Sequence, residues 1–122
     1  MPARIAVVHD EPKFREFVVT ILQAAGYDIQ AFTGSMAAIE SLEAAQPIEL
    51  LITRVRFPEG TPHGVSLAGM ALMKKPGMRV LFIARDENRE HTKGLGEFLA
   101  VPVTGAEIVA TVKRMLDAAT DR

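Results

Sequence analysis

The chain has 122 residues, 48% of them hydrophobic, and a net charge of −1 from 14 basic and 15 acidic side chains. This is enough for one domain with a real core across 1–122 and too little for a second. The near-even balance supplies no field for nucleic acid or a membrane, and the lack of cysteine excludes disulfides, thiolate metal sites and cysteine nucleophiles.

No apolar run approaches the ~20 residues of a membrane helix. Ile5–Val8 is too short for a signal-peptide core, so a cytoplasmic location is expected. Ile5–Val8 reads instead as a strand covered on both faces. It ends at His9-Asp10-Glu11-Pro12, where Asp10 can cap a following helix and Pro12 suits its first turn. Phe14, Phe17, Val18, Ile21, Leu22 and Ala25 recur at helical spacing, and Gly26 stops that helix. Tyr27–Phe32 alternates loosely, as a half-exposed edge strand does. Ser35 is a candidate cap for a helix through Ala45, with Ile39 and Leu42 inward.

Leu50–Thr53 is a second unbroken buried-type strand, and Arg54 follows it directly. The run from Phe57 to Gly64 holds two prolines and two glycines and must be a loop. Val65–Met73 forms a helix with Leu67, Ala68, Ala71 and Leu72 inward, and Arg79–Ala84 another buried strand. Arg85–Glu97 carries one large apolar residue, Leu95, and so buries no helical face. A solvated loop or single helical turn is expected there. Phe98–Ala100 is a short strand. Thr104 and Glu107 have capping-box spacing before a last helix whose apolar face is Ile108, Val109, Val112, Met115 and Leu116.

Strands alternating with helices imply an α/β fold, a three-layer α/β/α sandwich of flavodoxin-like type. Its commonest five-stranded parallel sheet has order 2-1-3-4-5 and opens a crevice between the ends of the first and third strands. Asp10 and Arg54 sit at those ends and should be neighbours. The fourth helix should be short or irregular.

Three stretches carry a resemblance: Val7–Pro12 (VVHDEP), Leu50–Pro58 (LLITRVRFP) and Phe98–Pro102 (FLAVP). Together, in this order, they resemble the receiver domain of two-component response regulators over the whole chain. The resemblance implies phosphoryl transfer from a histidine kinase to an aspartate, with Mg²⁺ held by an acidic pair and a hydroxyl and a lysine completing the pocket. Matched position by position, the acidic pair is His9-Asp10, followed by Glu11. The acceptor position is Arg54, which stays protonated and cannot act as a nucleophile. The hydroxyl position is Ala84 and the lysine position is Val101. The chain thus resembles a pseudo-receiver with the fold kept and the chemistry lost, without catalysis or cofactor.

His9 is a weak metal candidate, with Asp10 as co-ligand and His63 only if its loop folds over; no metal is expected. Arg54, Arg56 and Arg85 are candidates for an anion site at the strand ends. The plainer alternative pairs Arg54 with Asp10 and leaves the others in solvent. Met70, Met73 and Met78 read as core fillers more readily than as a partner surface. The expected function is a stand-alone signalling module acting by protein–protein interaction, with a sensor histidine kinase or another response regulator as partner, and a homodimer left open. Nucleic acid and membrane are not expected partners. A small anionic-ligand sensor using Arg54 and Arg85 is the alternative, and an interaction domain from a longer regulator a third reading.

Overall fold

The computed structural model of the protein describes residues 4–42, 47–58 and 63–120. The strands are β1 (Arg4–Val8), β2 (Asp28–Phe32), β3 (Leu50–Thr53), β4 (Arg79–Ala84) and β5 (Glu97–Ala100). The α-helices are α1 (Pro12–Ala24), α2 (Ser35–Leu42), α3 (Gly64–Lys74) and α4 (Gly105–Thr120). A 3₁₀ helix, Asp86–Thr92, takes the fourth crossover. All strand pairs are parallel and the order is β2-β1-β3-β4-β5, as the alternation predicts.

The unbroken apolar runs have a simple cause. Successive side chains of a strand point to opposite faces. Ala6, Val8, Leu51, Val80 and Phe82 pack under α2 and α3. Ile5, Val7, Leu50, Ile52, Leu81 and Ile83 pack under α1 and α4. Both faces of the three inner strands are therefore dry. Each fully buried Leu, Ile, Val or Phe contributes about 1.5–3 kcal/mol.

Several elements differ from the sequence expectation. On α1 only Val18 and Leu22 are buried, while Phe17 and Ala25 are exposed. Phe17 lies at the helix edge, against the backbone of Gly105, where a Cβ would come within 3.5 Å of its ring. Asp10 does not cap α1; Glu11 holds the cap position without a side-chain bond. Ser35 is no cap either. It is the buried first residue of α2, its Oγ has no partner among the described residues, and the first turn closes on the Gly34 carbonyl. The expected end of that helix at Ala45 lies outside the described residues. The capping box does form: Glu107 N donates to Thr104 Oγ1 at 3.1 Å and Thr104 N to Glu107 Oε1 at 3.0 Å. Met78 fills the core, but Met70 and Met73 are exposed.

The fourth crossover is the short, irregular helix expected there and is more ordered than a solvated loop. Two inward polar residues, Asn88 and Thr92, are buried and replace the missing apolar stripe. Thr92 Oγ1 donates to the Arg89 carbonyl at 2.8 Å, and the Arg89 guanidinium sits 4.6 Å from the centre of the Phe98 ring. A polar anchor of this kind leaves no hydrophobic period to read.

Candidate functional site at the carboxyl edge of the sheet

Register fixes the site. Val8 pairs with Thr53, so β1 and β3 end level and the residues that follow lie side by side. Arg54 Nη1 donates to Asp10 Oδ1 at 2.7 Å, with the two side chains 33% and 29% exposed. The carbonyl of Arg54 is fixed from behind. It accepts from Thr53 Oγ1 at 2.9 Å, and Gly64 N donates to the next carbonyl, Val55, at 2.8 Å. A Cβ on Gly64 would stand 1.8 Å from the Arg54 carbonyl oxygen, so only glycine fits where α3 begins.

Burial raises the Asp10 carboxyl pKa, but the hydrogen bond and charge of Arg54 outweigh it, and the net value lies below the ordinary one. His9 is pushed below its usual value, first by burial and then by the Arg54 charge. Its imidazole is neutral at pH 7. Nδ1 accepts from Glu11 N at 3.1 Å, and the ring sits 4.8 Å from that of Phe14.

Beside this pair lies a cleft of about 760 Å³ that takes in His9, Arg54, Ala84, Arg85 and Val101. Glu11 stands on its wall too. The sequence-selected residues are thus brought together, with Asp10 reached through Arg54. Arg56 is exposed, as expected, and its Nε donates to Asn88 Oδ1 at 3.2 Å. Arg85 is exposed, 3.7 Å from Glu87. His63 does not join His9. It caps its own loop, accepting from Phe57 N at 2.8 Å through Nδ1. Sequence reading missed Lys13, Phe14, Phe17, Asn88 and Val103 as cleft residues. Their helical or loop positions gave no local signal, because the cleft is made by tertiary packing.

A five-stranded parallel sheet of this order, with a charged crevice at its carboxyl edge, defines an open α/β domain of the receiver architecture. The solved CheY-like receiver domain protein from Methanospirillum hungatei superposes with TM-score 0.88 at 21% identity, over 99% of this chain and 98% of that one. The response regulator receiver protein from Sinorhizobium medicae gives 0.87 at 25% identity, over 97% of each chain. In sequence, the response regulator receiver protein CpdR of Brucella abortus is 34% identical across 80 residues, 66% of this chain and 64% of that protein. No protein-family model matches the chain. The chain spans between about a third and two-thirds of the length of the curated relatives it matches. Its fold is that of CheY-like response regulator receiver domains.

The Mg²⁺ that the resemblance implies finds a poor donor set. Mg²⁺ takes hard oxygen ligands in octahedral array. Here one carboxylate, Asp10, already accepts from a guanidinium, and its neighbour is an imidazole. Among the described residues no three His, Asp or Glu side chains are grouped to hold a metal. The residues present do not fit the ion.

Proposed function

We propose that this receiver domain serves two-component-type signalling through protein–protein contacts that do not depend on phosphorylation. The observation that carries the reading is the Arg54–Asp10 pair, with the cation supplied by the residue that matches the family's acceptor position. Ala84 and Val101, on the same cleft, offer neither hydroxyl nor ammonium to hold a transferred phosphoryl group. A receiver domain is a signalling module, and its function is then the identity of what it binds: a sensor histidine kinase or another response regulator. A cytoplasmic location goes with such partners, and no described helix is long and apolar enough to cross a membrane.

The test is incubation with acetyl phosphate and Mg²⁺ followed by intact-mass measurement, beside a receiver that does accept phosphate. No adduct is expected. A stoichiometric, base-labile gain of one phosphoryl group overturns the reading. Affinity capture from the source cells with the tagged chain should then retain a two-component protein, with or without phosphodonor.

A further inference from the structure

The cleft has features that partner binding leaves unused. Its volume, about 760 Å³, falls within the range of small-ligand sites, roughly 300–1,000 Å³. One part of its wall is cationic. The Arg54 guanidinium spends only Nη1 on Asp10, its single side-chain hydrogen bond among the described residues. Arg85 has no closer partner than Glu87 at 3.7 Å, with both side chains largely in water. The Lys13 ammonium has no hydrogen bond or ion pair among the described residues. Four basic side chains line the cleft against two acidic ones, and His9 adds no charge at pH 7. Another part of the wall is apolar. Phe14 and Phe17 stand 6.1 Å apart, ring centre to ring centre, and Val101 and Val103 close that side. Phe17 is 38% exposed, a cost that a flat apolar group laid on it would relieve.

We propose that the cleft binds a small organic anion with an apolar body, a carboxylate or phosphate ester of aromatic or branched-chain type. The head lies between Arg54 and Arg85, and the body lies on Phe14, Phe17 and Val101. Arginine suits the head because its planar fork meets a carboxylate or phosphate with two parallel donors. Binding is non-covalent and reversible, so it needs neither a nucleophile nor a metal. It stands or falls separately from the choice of protein partner.

The test is calorimetric titration of the whole chain with phenylacetate and phenyl phosphate. Acetate and inorganic phosphate serve as heads without a body, and benzyl alcohol as a body without a head. At least one aromatic anion should bind about tenfold or more tighter than its bare head and than benzyl alcohol. The better of the two tells whether the head is carboxylate or phosphate. Arg85→Ala, at an exposed position that puts folding at no risk, should weaken that binding about five- to tenfold, as should Arg54→Gln. Phe17→Ala should weaken the aromatic anions and leave the bare heads unchanged. The proposal is overturned if neither aromatic anion binds, if bare heads or benzyl alcohol bind as well, or if Arg85→Ala leaves affinity unchanged.

Discussion

Arg54 neutralises Asp10 from within the chain, and that choice fixes how the site responds to substitution, metal and pH. Arg54→Asp removes the partner of Asp10 and adds a second carboxylate beside it. Breaking a buried pair costs about 3–5 kcal/mol, and a pair one-third exposed costs less, about 1–2 kcal/mol. For a domain of this size that lowers the melting temperature on the order of 4–8 °C. Millimolar Mg²⁺ should recover part of the loss in the mutant by binding only the native state, and should leave the wild type unmoved. A wild-type shift as large as the mutant's would show that Asp10 is open to metal. His9 gives a pH signature. Its folded value is depressed, so the unfolded chain takes up a proton first as pH falls. Its stabilisation is complete above about pH 6.5 and declines as pH drops through the folded value. Asp10 declines in the same direction, but in the lower carboxylate range. His9→Gln should flatten the stability curve as pH falls below about 6.5, read from melts across buffers; an unchanged slope would mean that the imidazole is not desolvated. Gly64→Ala drives a Cβ into the Arg54 carbonyl and should cost about 1–3 kcal/mol.

Among the elements, the fourth crossover separates what the sequence discloses from what it hides. The strands were legible because burial on both faces leaves an unbroken apolar run, and the order of the sheet followed from handedness and short connections. The start of α4 was legible because a capping box is a local pattern. Asp10 pairs with Arg54, 44 residues away, as the strand order led one to expect, but it does not cap α1, because a carboxylate after a strand serves equally as cap or ion-pair partner. The short, irregular fourth helix was legible as such, while the anchoring of Asp86–Thr92 was not, because its anchors, Asn88 and Thr92, are polar. Few apolar contacts hold it, so its amides should exchange faster than those of β3 but slower than an open loop. Asn88→Ala should release Arg56 and raise exchange across Asp86–Thr92 without touching β3. Equal rates in mutant and wild type would show that the Arg89–Phe98 stacking alone holds the segment.

At the scale of the molecule, two apolar layers share one sheet, with α2 and α3 on one face and α1 and α4 on the other. Every inner strand feeds both layers, so neither should unfold alone. Tyr27, the one tyrosine in a chain without tryptophan, packs against the α1–α4 layer. Its fluorescence should follow the same urea transition as far-UV circular dichroism, which sees the whole backbone. Separated midpoints would mean that the layers come apart in turn. The Arg54–Asp10 pair ties the ends of β1 and β3 at the centre of that sheet. A cation that arrives by translation never dissociates and is never washed out. If the domain signals without phosphorylation, as proposed, a regulator built around it keeps no chemical memory of past stimuli and has nothing for a phosphatase to erase. Its message is then its copy number, written by synthesis, cleared by proteolysis and read by partners through mass action.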